Sequence, residues 1–378
     1  MMVVRISLTI AFVANGASVH TVRWLGYFAD RGFDIHLLTF TESAIKNVTV
    51  HYISPSKIKI PLRLLKPRML ITKIKPDVLH SFYATHHGAI GLLSGFHPFV
   101  LTVMGGDVTT ATETSRIKNL MVRASLRKAD LVHVSDVMLK ERVEELGCNS
   151  SKILLQEWAV NTNEFSPQAK DERLRAQLGI TDFYSVINAY PWEPRYGVDI
   201  LIKALPYVLK EIPNVKLILL GGGTMEKELM ELARKLGVVE NVLFIGRVPR
   251  EAMPKYLASV DVIVDTLSDY AYDRGGIFKR PKGTGIGQTN REAMSCGIPQ
   301  ILSDSASFKS YKWFKGLMYK QLDYRDLADK VASLLNDEVL RKKIGRESRQ
   351  YALDYLNEDT IMKNWEKIYH RLSNASAA

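Results

Sequence analysis

Three observations predict an α/β protein built from two Rossmann-like, doubly wound domains. Short, near-continuous apolar runs alternate with amphipathic segments along the chain, the pattern of parallel strands buried on both faces by helices. Each glycine-rich turn falls at the carboxyl end of such a run: Asn15-Gly16-Ala17-Ser18, Met104-Gly105-Gly106-Asp107, Gly221-Gly222-Gly223-Thr224 and Gly283–Gly287. The length of 378 residues exceeds what one ordinary core organises.

The first half opens with the apolar stretch Val3–Phe12, which carries Arg5 and has neither a basic leader nor a cleavage site; it is a buried first strand, not a signal peptide. Val19–Arg31 has helical spacing, and Asp34–Phe40, Asp77–Ser81, Phe99–Val103, Leu131–Ser135 and Ile153–Leu155 are short strands. Charged Gln168–Thr181 stands where a linker belongs. In the second half Tyr184–Ala189, Val215–Leu220, Val242–Ile245, Val260–Asp265 and Gln300–Leu302 are strands with helical patterns between them. Leu327, Val331, Leu334 and Leu335 put a helix over Tyr324–Leu335, and Trp365 and Tyr369 share one face of a last helix over Asp359–Leu372. Ser373–Ala378 carries no structural signal. The expected division is 1–167, 168–358, and a C-terminal helix, 359–378, that packs back on the first domain.

Composition narrows the class. Hydrophobic residues make up 46% and charged residues 24%, a globular balance. Cys148 and Cys296 lie far apart with no metal-like spacing, which suits a reduced, cytoplasmic protein. No apolar run reaches the roughly 18 residues of a membrane span. The net charge of +11 favours anionic partners.

The most informative stretch runs from Lys282 through Gly283, Gly285 and Gly287 to Glu292, then ends at Cys296-Gly297-Ile298-Pro299. Glycines let backbone N–H groups approach a ligand closely, and a helix beginning beyond them points its positive end at it. The natural ligand is a phosphate. Glu292, farther along the helix, is placed for ribose hydroxyls. Thr289-Asn290-Arg291-Glu292 also fits a capping box, in which Glu292 would only reach back to the cap amide.

In order, the motifs resemble those of the family 4 retaining glycosyltransferases of the GT-B fold. Asn15–His20 is similar to the family's N-terminal glycine loop, Lys75–His80 to its "KPDVVH" strand, and Glu157–Pro167 to "NGVDTERFSP". Tyr196–Ala204 resembles "KGVDLLIEA", Val215–Glu226 resembles "LVIVGDGPE", and Glu292–Pro299 resembles "EAMACGTP". The resemblance implies two domains facing across a cleft, the first on the acceptor side and the second holding a nucleotide-diphosphate sugar. It implies transfer to a glycan or lipid-linked acceptor without a cofactor or metal, in agreement with the lack of an Asp-x-Asp motif. Four features depart from the family, the altered cationic pair counting as one. Thr284 replaces the first glutamate of the phosphate loop, Tyr196 the usual lysine, Met104 an N-domain histidine and Phe82 another, and no arginine ends the strand Tyr184–Ala189. A binding-only member and a sugar-nucleotide epimerase are the rival readings.

On this reading Arg195, between the strand and Gly197, is the diphosphate cation, with Lys282 beside the glycine loop; Lys279 and Arg280 stand near it. Thr284, Gly285, Gly287, Gln288, Thr289, Asn290 and Glu292 contact the donor, joined by Gly16 and Ser18 from the first loop, Gly222 and Val248. Asp107 orients or deprotonates the acceptor hydroxyl, or is a turn residue. His20, His86 and His87 line the acceptor side. Ser56–Lys75 carries Lys57, Lys59, Arg63, Lys66, Arg68, Lys73 and Lys75 among isoleucines and leucines, with no acidic residue. Such a stretch suits an anionic membrane face, and so a peripheral position on the inner membrane. It lacks the aromatic side chains that stack on nucleic acid.

Overall fold

A computed structural model describes residues 8–53, 60–273, 276–279, 286–305, 308, 314 and 316–377, with backbone alone for 60–65, 270–273, 276–279, 376 and 377. The chain forms two compact units, Met1–Glu157 with Ile361–Ala378, and Trp158–Thr360.

The first unit holds seven parallel strands: β1 (Thr9–Val13), β2 (Asp34–Thr39), β3 (Val48–Tyr52), β4 (Val78–Phe82), β5 (Phe99–Thr102), β6 (Leu131–Val134) and β7 (Ile153–Leu155). Their order, β3-β2-β1-β4-β5-β6-β7, reverses between β1 and β4. At such a switch point the loops after the two strands diverge and leave a crevice. The inner strands are buried on both faces, so they read as apolar runs. Edge strand β3 is half exposed, and its Val48-Thr49-Val50-His51-Tyr52 lacks that signal, which is why sequence periodicity misses it.

One face of this sheet carries a polar chain through an aromatic core. His133 Nε2 donates to the Gln156 carbonyl (2.8 Å), so its Nδ1 accepts from the Thr102 hydroxyl (3.1 Å). Thr102 Oγ1 then accepts from His80 Nε2 (2.7 Å), and His80 Nδ1 accepts from the Tyr369 hydroxyl (2.8 Å). Tyr369 Oη in turn accepts from Trp24 Nε1 (3.1 Å). Every donor in the row points the same way, which fixes both histidine tautomers. Phe12, Trp24, Phe82 and Trp365 pack around His80. Trp365 and Tyr369 belong to the last helix, Glu358–Ala377, whose residues from Ile361 onward are part of this unit. The helix runs on through Ser373–Ala377, where the sequence showed no signal.

The second unit holds β8 (Tyr184–Asn188), β9 (Val215–Leu220), β10 (Val242–Gly246), β11 (Val262–Val264), β12 (Tyr270–Asp273), β13 (Gly276–Lys279), β14 (Gln300–Ser303) and β15 (Leu317–Tyr319). Six form a parallel sheet in the order β10-β9-β8-β11-β14-β15; β12 and β13 form a separate antiparallel hairpin. Helices Val198–Glu211 and Tyr324–Asn336 bury Leu201, Leu205, Leu327 and Val331 against one face. On the other face Ala293 and Met294 of the helix Gln288–Ser295 share a core with Phe165, Leu257 and Leu356.

Trp158–Pro167, placed with the first domain by the sequence, packs in the second unit. Phe165 is fully buried there, and its carbonyl accepts from Ser295 Oγ (2.5 Å) and Arg349 Nη1 (3.0 Å). The charged stretch 168–181 is folded as well. It contains the helix Glu172–Gln177, capped by Asp171, and buried Arg175 donates to the carbonyls of Ser259 (2.7 Å) and Ile180 (2.9 Å).

The histidine chain generates a stability prediction. Burial drops the His133 imidazole from its ordinary 6.5 to about 4 and pushes His80 well below 6.5. Both stay neutral when folded, whereas the unfolded chain takes up protons below about 6.5. Their contribution is therefore complete above that pH and is lost as pH falls toward 4. Urea unfolding across this window is expected to show a falling midpoint. Tyr369→Phe, which strands Trp24 Nε1 and His80 Nδ1, should cost about 1–3 kcal/mol at pH 7. An unchanged midpoint in the variant would deny the chain its role.

Candidate functional site

In the second unit the strand order turns between β8 and β11, and the segments leaving their carboxyl ends meet the helix Gln288–Ser295. Gly287 caps this helix in extended conformation without a side-chain partner. The N–H groups of Gln288, Thr289 and Asn290 have no acceptor within the helix, and the macrodipole adds positive potential there. Because the helix starts at Gln288, Thr289 is not its cap. The capping box is not formed, and Glu292 lies in the second turn. Lys282, Thr284 and Gly285, with Arg280, lie outside the described residues; Lys279 is described by its backbone alone in β13.

The buried carboxylate of Asp265, just beyond β11, ties these segments together. Its Oδ2 accepts from Tyr190 Oη (2.5 Å) and Asn290 Nδ2 (2.7 Å), and its Oδ1 from the Leu267 amide (2.8 Å). Tyr190 stacks on Tyr196 with ring centroids 5.1 Å apart. Tyr190 and Tyr196 thus fill the turn after β8. Arg195 is exposed, its guanidinium 4.8 Å from the Tyr196 ring centre. Gly197 adopts φ +64°, and a Cβ there would stand 3.0 Å from the Thr266 carbonyl oxygen.

The glycine run after β9 packs on the same turn. A Cβ on Gly221 would stand 2.3 Å from the Tyr190 carbonyl oxygen, and one on Gly223 2.4 Å from that of Trp192. These two glycines are demanded by backbone contact. Gly222 is spacious by comparison, with the Arg247 side chain 3.5 Å from its Cβ position. Val248 is half-buried against the core that includes Phe165.

Glu292 is fully buried and paired. Arg250, at the start of the turn after β10, donates Nη1 to Oε2 (2.7 Å) and Nη2 to Oε1 (2.5 Å). The carboxylate raises the Arg250 guanidinium above its ordinary range, against the opposing effect of burial. Four residues earlier on the same helix face, Gln288 Nε2 donates to the Ala159 carbonyl (3.0 Å), while Gln288 Oε1 is buried without a partner. Arg250 escaped the sequence reading. It lies 42 residues from Glu292 in a loop with no motif of its own, and no spacing rule could link them.

In the first unit Gly16 sits under Ser43: a Cβ would come within 2.6 Å of the Ser43 Cβ. Its amide donates to Thr39 Oγ1 (3.0 Å). Ser18 occupies the cap position of the helix Val19–Ala29 without a side-chain bond, and His20 lies in its first turn. Asp107 sits inside its turn. It is fully buried, and its carboxylate accepts from the amides of Ala84 (2.5 Å) and Met104 (3.0 Å). It braces its own loop against the turn after β4 and presents no oxygen to solvent. His87 likewise turns inward. Its Nδ1 bonds the Phe82 carbonyl (2.8 Å), its ring stacks on Phe40, and burial lowers it to about 4, so it does not line an open acceptor surface. His86, beside it, is exposed.

Comparison with known proteins follows this division. The family described as "Glycosyl transferase 4-like" matches residues 9–136, and "Glycosyl transferases group 1" matches residues 170–351. A GDP-mannose-dependent monoacylated alpha-(1-6)-phosphatidylinositol monomannoside mannosyltransferase of Corynebacterium glutamicum is 29% identical over 67% of this chain and 64% of its own length. For the corresponding enzyme of Mycolicibacterium smegmatis the match covers 50% of the relative, so the chain spans about half to two thirds of these curated relatives. N-acetyl-alpha-D-glucosaminyl L-malate synthase of Bacillus anthracis is 21% identical over 98% of this chain and 97% of the relative. Among solved structures, Anabaena HepE in complex with UDP superposes with a TM-score of 0.79 at 19% identity, covering 97% of this chain and all of that one.

The Asp107 brace is testable. Asp107→Asn turns an amide NH2 toward backbone donors, and urea unfolding should show a loss of about 1–3 kcal/mol. Activity per folded molecule should hold. A stable but inactive variant would return Asp107 to the chemistry.

Proposed function

We propose that this chain, which belongs to the GT4-type glycosyltransferases and has the GT-B fold, moves a sugar from a nucleoside-diphosphate sugar to a glycan or lipid-linked acceptor, with retention at the anomeric carbon. The observation that carries the reading is the open N-terminus of the helix Gln288–Ser295 at a strand switch point, with Glu292 buried and paired one turn along it. The amides of Gln288, Thr289 and Asn290 serve the diphosphate, and Glu292 serves the ribose hydroxyls. As the sugar departs, negative charge grows on the diphosphate, and fixed N–H donors aimed at it stabilise the transition state more than the ground state. Arg195 and Lys282 supply the cationic part of that field. With protein donors in place and no Asp-x-Asp motif in the sequence, transfer proceeds without a metal ion.

The relatives inform the substrates. Two are GDP-mannose-dependent enzymes named for a phosphatidylinositol mannoside, and a structural neighbour holds UDP. A GDP- or UDP-sugar is the donor class, and a lipid-linked acceptor fits the basic stretch Ser56–Lys75. Its described part lies in the helix Ile60–Ile74, where Lys66, Arg68 and Lys73 are exposed beside Met69, itself 71% exposed. We place this stretch on an anionic membrane face. Among the described residues no helix is long and apolar enough to cross a membrane. A second reading, a protein that binds a sugar nucleotide without transferring the sugar, is favoured by one observation: Tyr190 and Tyr196 occupy the turn where the family carries a cationic pair.

Incubation with UDP-, GDP- and ADP-sugars plus a lipid-linked acceptor, in excess EDTA, is expected to release the free nucleoside diphosphate. Binding without release supports the second reading, and activity that returns only with magnesium or manganese overturns the metal-free route. Vesicle sedimentation at low salt should pellet the protein with anionic lipid and not with neutral lipid. Each basic residue near such a surface contributes about 1 kcal/mol, so replacing Lys66, Arg68 and Lys73 with Gln should abolish most of the binding.

A further inference from the structure

We propose that Arg250 is a positioning residue of the nucleoside site: it holds the Glu292 carboxylate aimed while the site is empty, and yields one carboxylate oxygen to the ribose diol when the nucleotide binds. This rests on the reading of Glu292 as the ribose-binding group.

Glu292 leaves water completely, between Arg291 and Ala293 on a helix whose inner side lies in an apolar core. A carboxylate so enclosed is costly unless donors replace the water it loses. Arg250 supplies the donors in the forked geometry that matches a carboxylate, at 2.7 and 2.5 Å. Its own place is determined twice over. It begins a one-turn helix behind Pro249, and its guanidinium lies 4.7 Å from the ring centre of fully buried Phe165. The fork is therefore delivered by two segments, 249–252 and the Phe165 loop, that are held independently of the carboxylate.

The pair is also incomplete in a way that suits a diol. A guanidinium carries five N–H donors, and the fork on Glu292 uses two of them. Glu292 is wholly covered, but the Arg250 side chain is 29% exposed, so the accessible edge of the pair is the guanidinium. A ligand approaching from this exposed edge meets the fork first and competes with its N–H groups for the carboxylate. One turn toward the helix N-terminus stands Gln288 Oε1, buried and without a partner. One face of the helix thus presents two acceptors a turn apart, one without a partner and one shared with Arg250, on the way from the helix N-terminus to the core. Vicinal hydroxyls bring two O–H donors.

The test separates this role from support of the fold. Isothermal titration compares UDP and GDP with their 2′,3′-dideoxy counterparts for the unaltered protein and for Arg250→Ala, Arg250→Lys and Glu292→Gln, each checked for native circular dichroism. The unaltered protein should prefer the ribose form by roughly ten- to a hundred-fold, the range of a charged hydrogen bond. Arg250→Ala should erase that preference while its affinity for the dideoxy form stays within about threefold. Arg250→Lys, which keeps the charge but loses the fork, should retain only part of the preference, and Glu292→Gln should match Arg250→Ala. If Arg250→Ala weakens both ligands equally with the preference intact, Arg250 is merely structural and the proposal fails. If Arg250→Ala does not fold, the lysine and glutamine variants decide: an unchanged preference in both overturns it. No preference in the unaltered protein would remove the ribose assignment of Glu292 itself, and this inference with it.

Discussion

A carboxylate taken out of water costs several kcal/mol unless donors take the place of the solvent it loses. Glu292, Asp265 and Asp107 are all in that position, each near the carboxyl end of a parallel strand or the helix that follows one. Each is answered differently. Asp107 draws backbone amides from two loops, Asp265 gathers a tyrosine hydroxyl, an asparagine amide and a backbone N–H, and Glu292 takes the fork of Arg250. The demand for donors pulls the loops into register. The segment after β8, the residue after β11 and the first turn of the helix Gln288–Ser295 all meet at the Asp265 carboxylate. The N-terminal end of the helix is therefore held by a buried carboxylate on its inner side.

The first unit meets the same constraint with neutral groups. Its polar chain from Trp24 to Gln156 keeps two imidazoles uncharged inside an aromatic core, and directionality satisfies every member. The chain also attaches Tyr369, from the far end of the sequence, to strands β4 and β5. Hydrogen bonding here selects one seat for the last helix, where aromatic packing alone would accept several.

Around the switch point of the second unit, tyrosines stand where a positively charged pair is usual in the family. Tyr190 spends its hydroxyl on Asp265, and Tyr196 is stacked against it with Arg195 alongside. An aromatic stack offers a flat, apolar surface with little charge. On the proposed reading, a diphosphate is met mainly by backbone N–H groups and by cations elsewhere in the loops. Gly221 and Gly223 serve this arrangement indirectly, since any side chain on them would push the Tyr190–Trp192 segment out of place.

The amino-acid sequence determined the two-domain α/β class, nearly all of the inner strands, and the helix that carries Glu292. Those features are written in local spacing: buried parallel strands are apolar runs, and helices repeat every three or four residues. It also marked Trp365 and Tyr369 as one face of the last helix and sent that helix back to the first domain, without naming the residues the face meets. The tertiary structure alone decided the partners. Edge strand β3 lacks a continuous apolar run, because its side chains are only partly covered. Asp107 and His87 look like reactive groups in the sequence and become braces once burial turns them to the backbone. Arg250 finds Glu292 across 42 residues, and Tyr369 finds His80 across 289. Strand order brings such pairs together, and strand order arises from the packing of whole sheets, which no local pattern records.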